Sequence, residues 1–404
     1  MANKLLHLPK FSFVKRLLFA FLLFAFHFSP AQDSCGIRIS LLTCTPGTEL
    51  YSTFGHSALR VVDSINNTDL VFNYGTFDFY DPGFNQKFVQ GKLLYFVSID
   101  SLSSFMEEYD YYKRGITEQS VNLSCIEKQR MVAALFENAK EENKYYLYDF
   151  NYDNCTTRLR DMLEKAAGKQ LETKNILPKP GTTFRHLIHT YLDKGGQQWS
   201  KLGIDILLGT PMDKKVTNRE AMFLPDYLLI AFDSSGLNGE PVVSEKKVLL
   251  NYFDAYKTKT GITPFIVFGI LFLVITALSF IKIRSWKILL SIVDFFFFFT
   301  IGAVGILILF MWFGTDHAMC KNNFNLLWAL PLHLPIAFML FGKKSWVNSY
   351  FRFIFFYTIA LLLAWFFLPQ QFNTATLPIV GIILIRSFYL GKANQKKTRR
   401  KIEN

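Results

Sequence analysis

Residues 51–57 read Tyr-Ser-Thr-Phe-Gly-His-Ser, and residues 153–158 read Asp-Asn-Cys-Thr-Thr-Arg. The first run is strand-like and carries His56. The second is a helix start: Asp153 or Asn154 caps it, and Leu159, Met162 and Leu163 keep helical spacing to about Ala167. A cysteine accepts an acyl group as its thiolate, and a helix N-terminus and a neighbouring histidine both favour that form. The two runs therefore predict Cys155 as nucleophile and His56 as the base that takes and returns its proton. Asn73, in Phe-Asn-Tyr-Gly on the next strand, is placed to hold the far imidazole nitrogen. First-turn backbone N–H groups supply half of an oxyanion site. Tyr74, Asn154 and Arg158 are the side-chain candidates for oxyanion contact or substrate positioning. A lone Cys and a lone His are more often a buried small side chain and a satisfied polar one. The polar run Thr156, Thr157, Arg158 directly after Cys155 adds some weight to chemistry and leaves both readings open.

Working outward, 37–42, 50–62, 70–74 and 93–99 read as strands, and 104–112, 126–143 and 184–191 as helices. Residues 32–170 form the expected α+β catalytic domain. Residues 171–261 are broken by Pro178, Pro180, Gly181, Gly195 and Gly196, and neither 223–232 nor 242–253 has a decisive period. They read as an exported extension that packs near the bilayer.

The ends of the chain set its location. Lys4, Lys10, Lys15 and Arg16 precede an apolar run over 17–28 and the small residues Ser29-Pro30-Ala31, the pattern of a signal peptide over 1–31. Cleavage removes four basic and no acidic side chains, lowering the formal charge from +12 to +8. Much of the remaining positive charge lies in the tail over 391–404, the mark of a cytoplasmic end of a membrane protein rather than a nucleic-acid surface. Five apolar segments over 262–390, at 262–281, 288–313, 324–341, 347–368 and 375–390, read as membrane spans. Lys282, Arg284 and Lys287, with Lys343 and Lys344, put two loops on the cytoplasmic side. This leaves 32–261 and the loop 314–323 periplasmic, in an inner-membrane, multi-pass protein.

A Cys–His pair tied to a bilayer favours lipid-derived acyl chains over soluble metabolites as substrates. The loop after the second span concentrates Asp316, His317, Asn322 and Asn325, with Trp328 following, at the mouth of the membrane domain. It is a candidate headgroup platform or source of a third catalytic residue; a solvated loop anchored by Trp328 is the plainer reading. Cys35 and Cys44 flank one strand and pair only if a turn brings them together. His186 and His189 lack a third ligand, so no metal is expected, and no glycine-rich phosphate loop or other cofactor signal is present.

The runs over 41–61, 71–79 and 148–161, together with 315–328, resemble the Lnb-type proteins of Bacteroides-like bacteria. The loop departs from that family at Cys320 and Ala329. The resemblance implies a circularly permuted papain-type fold with His before Cys, followed by an all-α five-span membrane domain. It also implies lipoprotein N-acylation, with Cys155 as nucleophile and His56 as base. A membrane phospholipid is then the acyl donor and a diacylated lipoprotein the acceptor, with no nucleic-acid partner. The residues alone leave two alternatives open: a membrane-tethered cysteine peptidase or amidase acting on cell-wall peptide, and a non-enzymatic envelope scaffold.

Overall fold

The computed structural model describes residues 35–237, 239–258, 261–342 and 344–392. The expected signal peptide, and the expected tail beyond residue 392, lie outside the described residues. The N-terminal part is mixed α/β and the C-terminal part helical. Strands β1 (Ile37–Cys44), β2 (His56–Asp63) and β3 (Thr68–Thr76) lie at the centre of a seven-stranded sheet. Around them run β4 (Leu94–Ser101), β5 (Ile116–Val121) and β6 (Tyr145–Leu147). The order is β6-β4-β3-β2-β1-β5-β9, closed by β9 (Val243–Leu250), with every pairing antiparallel. A two-stranded hairpin, β7 (Gly236–Leu237) and β8 (Glu240–Pro241), stands apart from it.

Strand alternation buries both faces of the central strands. Ile39, Leu41, Leu59, Val61, Phe72 and Tyr74 share one core with helices α3 (Cys125–Asn138) and α4 (Cys155–Ala167). Leu42, Cys44, Ala58 and Val71 face the other way, against Phe105 and Tyr109 of α2 (Leu102–Tyr111). The short helix α1 (Phe84–Gln90) fills the connection from β3 to β4.

The strand expected over 50–62 starts later than its sequence suggests. Residues Leu50–Ser52 form a 3-10 turn, held by the Ser52 and Thr53 hydroxyls donating to the Glu49 carbonyl, and the strand begins at His56. Gly55, at φ 80°, makes the corner between them. His56 is thus the first residue of β2, at the end of the sheet rather than within it.

Beyond residue 170 the chain runs through α5 (Phe184–Lys194), α6 (Gln198–Leu207), α7 (Asn218–Ala221) and α8 (Pro225–Ser234) before β9 returns it to the sheet. Leu187, Ile188, Phe223, Leu224 and Leu228 join the same core as Leu159 and Leu163 of α4. Residues 199–213 meet the C-terminal part. Trp199 donates to the Ile262 carbonyl, and Asn325 and Asn323 donate to the Asp205, Ile206 and Leu207 carbonyls. Arg185, fully buried, binds both Asp205 and Asp213. Asp205 also accepts from His189 and from Asn373 between the last two helices.

The helical part comprises α9 (Pro264–Phe280), α10 (Arg284–Phe313), α11 (His333–Met339), α12 (Ser345–Ala364) and α13 (Thr376–Lys392). Two helical stretches, Arg284–Phe313 and Ser345–Phe367, are long and apolar enough to cross a membrane. The segment expected as a third span over 324–341 is not one continuous helix. A 3-10 turn at Phe324–Leu327 is followed by the seven-residue α11, because Pro331 removes a backbone donor and disfavours helix at the residue before it. This broken segment packs closely on α10: a Cβ on Gly305 would fall 2.1 Å from the Ala329 carbonyl oxygen. Arg386 of α13 pairs bidentately with Asp294 of α10 at 2.6 and 2.7 Å and donates to Ser279 of α9, tying three helices together.

Candidate active site

Helix α4 lies against β2 and β3 and brings Cys155 to the end of the sheet where β2 begins. Its start is set by a capping box. Asn154 Oδ1 accepts the Thr156 and Thr157 N–H groups at 2.9 Å each, and Thr157 Oγ1 accepts the Asn154 N–H at 2.8 Å. The cap leaves the Cys155 N–H, which as a first-turn amide has no partner within the helix.

Cys155 is buried, and His56 is half-buried beside it. His56 Nε2 lies 2.5 Å from Asn73 Oδ1. The amide oxygen only accepts, so Nε2 carries the proton and Nδ1 presents its lone pair to the thiol. Burial alone would push the Cys155 thiol up. The charge and hydrogen bond of His56, the Ser57 N–H and the Thr156 hydroxyl outweigh it and bring the thiol down to about 7. Burial likewise disfavours the charged imidazole, but Cys155 and then Asn73 raise His56 above its ordinary value. Cys44, the cross-strand partner of His56, makes the contrast: burial pushes its thiol up to about 12. The two cysteines near this histidine are thus shifted in opposite directions.

Gly75, at φ 86° where the β3–β4 register shifts, lies beside Cys155. A Cβ there would lie 3.6 Å from Cys155 Cβ, 3.6 Å from the Tyr148 ring and 4.0 Å from the Tyr146 hydroxyl. Tyr146 is buried, and its hydroxyl, near the Gly75 backbone N–H, donates to no side chain or carbonyl among the described residues. Burial first, then the negative charge of a Cys155 thiolate, raises its phenol, so it stays protonated. Arg158 lies over the Tyr146 ring at 3.5 Å and is itself clamped by Asp153 at 2.6 and 2.8 Å. Sequence reasoning passed over Tyr146 and Tyr148. The density of tyrosines over 145–152, directly before Asp153-Asn154-Cys155, was the available signal.

The structure brings Cys155, His56 and Asn73 together and redirects the other candidates. Tyr74 alternates to the other side of β3 from Asn73, where its hydroxyl donates to Met162 Sδ and accepts from Asn138, so it is no oxyanion donor. Asn154 is consumed as the helix cap, its Nδ2 donating to the Phe150 and Phe223 carbonyls. Arg158 holds Tyr146 rather than reaching the thiol. In the membrane-domain loop, the Asp316 N–H donates to the Gln90 carbonyl and His317 Nε2 donates to the Phe88 carbonyl at 3.1 Å. Asn322, at φ 51°, accepts the Thr210 N–H through its carbonyl. Asn325 and Trp328 are buried and bonded to each other, so they are scaffold and not a headgroup platform. None of these loop residues supplies the His56 partner; Asn73 does. Cys35 and Cys44, at opposite ends of β1, are both free thiols.

Residues 31–190 match the family model of the Lnb N-terminal periplasmic domain, and residues 256–398 match that of the Lnb transmembrane domain. No curated protein and no solved structure matches the chain. The two matches together span most of the sequence, and they make it a membrane protein with a periplasmic domain. The chain belongs to the Lnb-type family.

Proposed function

We propose that this protein is a cysteine-dependent N-acyltransferase of the inner membrane, moving an acyl chain from a phospholipid to the N-terminal amine of a diacylated lipoprotein. The observation that carries the reading is the Cys155–His56–Asn73 set at the sheet end whose two connecting segments meet the membrane side. The loop before β2 is bonded to Gln197, which adjoins α6 and its Trp199 contact to Ile262. The segment after β3 carries α1, whose Phe88 carbonyl receives His317. The order His56, Asn73, Cys155, with the cysteine on a helix packed against the sheet, fits a circularly permuted papain-type fold. The five apolar helices α9–α13 fit a multi-pass domain in which α11 is a broken segment.

In the first step the Cys155 thiolate attacks the ester carbonyl of the donor. The carbonyl oxygen becomes an oxyanion that the Cys155 N–H and the Tyr146 hydroxyl would receive. The ester C–O bond breaks, and the departing lysophospholipid alkoxide takes the proton from the His56 imidazolium. In the second step the acceptor's amine attacks the thioester and loses a proton to His56. The C–S bond breaks, and the thiolate re-forms beside the imidazolium. Asn73 keeps one ring orientation through both steps. Water would divert the thioester to hydrolysis, so a buried thiol beside the bilayer suits transfer.

Lipoproteins from cells lacking this protein test the reading by mass spectrometry. Loss of the N-linked chain, restored by the wild-type gene but not by Cys155→Ser, is the expected result. Unchanged triacylation in a strain with no second such enzyme sinks it. Release of cell-wall peptide by the purified chain would point to a peptidase.

A further inference from the structure

The connection between β3 and β4 is unusually aromatic, and it starts two residues after Gly75. Tyr148, which with Cys155 flanks Gly75, stacks on Tyr95 with ring centroids 4.4 Å apart. Tyr95 meets Phe77 edge-on at 5.4 Å, Phe77 stacks on Phe84 at 5.9 Å, and Phe84 stacks on Phe88 at 6.1 Å. Phe79 closes on both Phe77 and Phe84. The inner end of this row is packed, but its outer end is not: Phe79 is 64 % exposed and Phe88 51 %. The one basic residue of α1, Lys87, is paired with Asp81 at 2.7 Å, so the ledge carries little net charge. Exposed aromatic area of this kind marks a binding surface or a membrane contact.

What covers the ledge follows from its surroundings. Its outer end is joined to the membrane domain through Phe88 and Gln90, which receive His317 and Asp316 of the loop directly after α10. A Cβ on Gly91 would sit 3.3 Å from the His317 nitrogen, so the two segments are in close contact. One end of the aromatic row therefore adjoins the thiol and the other adjoins the mouth of the apolar helices. We propose that this row is the subsite for the donor: an acyl chain of a bilayer phospholipid lies along Phe88, Phe84 and Phe77 and delivers its ester carbonyl past Tyr95 and Tyr148 to Cys155. The inference rests on the acyltransferase reading and adds to it where the donor chain binds.

The test uses the full chain reconstituted in vesicles of phosphatidylethanolamine labelled in its acyl chains, without acceptor, and reads the rate of label appearing on Cys155. Phe79→Ser and Phe88→Ser alter exposed rings, so folding is little affected. Each is expected to slow labelling about tenfold, the scale of a partly lost apolar contact. A water-soluble short-chain ester, too short to use the ledge, should acylate Cys155 at the wild-type rate in both variants. Wild-type labelling by phospholipid in both variants overturns the proposal. Equal slowing with the short-chain ester also overturns it, since the rings would then act on the thiol's geometry. Normal labelling with impaired transfer to a diacylated peptide would assign the ledge to the acceptor and overturn it as well. No label on Cys155 in the wild type overturns the acyltransferase reading itself, and the donor subsite with it.

Discussion

Asn73 Oδ1 holds His56 Nε2 at 2.5 Å, across the ring from the nitrogen that serves Cys155. The bond fixes which tautomer is the base and which way the ring faces. Asn73→Ala is therefore expected to lower turnover about ten- to a hundredfold with little change in KM, because substrate contacts are untouched. Steady-state kinetics on a diacylated peptide check this; an equal fall in substrate affinity would instead place Asn73 in the binding surface.

The thiol at about 7 sets a pH dependence. Its acidity is enhanced relative to the usual value near 9, so the reactive thiolate appears as pH rises through about 7 and is lost below it. His56 is raised in its turn by Cys155 and Asn73 against its burial, which favours the imidazolium that pairs with this thiolate. Site-resolved iodoacetamide labelling of Cys155 should show a midpoint near 7, and His56→Ala should move it upward, since only the Ser57 N–H and the Thr156 hydroxyl then oppose burial. A midpoint near 9 in the wild type would contradict the pairing.

Tyr146→Phe removes a buried hydroxyl and keeps the ring under Arg158. Acylation of Cys155 is expected to fall about a hundred- to a thousandfold, the usual scale for one oxyanion donor. Iodoacetamide labelling, which builds no oxyanion, should keep its rate. A parallel fall in both would mean that Tyr146 shapes the thiol rather than the transition state.

Much of this centre was legible in sequence because its parts are local. A capping residue before Cys155 and a strand carrying His56 are readable from neighbours alone, though not the turn at Leu50–Ser52 that delays the strand. The nearness of Asn73 to His56 was readable from adjacent strands, and the two side chains are hydrogen-bonded. The rest depended on distant packing. Strand β5 has Thr117, Glu118, Gln119 and Ser120 buried, against the usual apolar pattern, because Arg60 pairs with Glu118 and Asp233 accepts from Gln119. Strand β9 is the exposed sheet edge and carries Glu245, Lys246 and Lys247, charges that discourage further pairing and hide its period. Asn154 is the expected cap, but its further use as a positioning group, like the uses expected of Arg158 and Asn325, does not match the partners found. Polar residues near a site look chemical until their partners, here carbonyls, Asp153 and Trp328, are known.

The Asp294–Arg386 pair gives a prediction for the helical part. Arg386→Leu leaves a buried carboxylate unpaired, which costs about 3–5 kcal/mol, whereas replacing both residues by Leu should cost much less. Thermal unfolding in detergent compares the three proteins. A double variant as unstable as the single would show that Ser279 or packing, not the ion pair, holds the helices.

On the proposed mechanism Cys155 carries the acyl chain between donor and acceptor. Full-length protein in phospholipid vesicles without acceptor, quenched in acid and digested, should yield a Cys155 peptide heavier by one acyl group, cleaved by neutral hydroxylamine and absent from His56→Ala. A Cys155 peptide that stays unmodified in the wild-type protein, while added diacylated peptide is still N-acylated, would contradict the account.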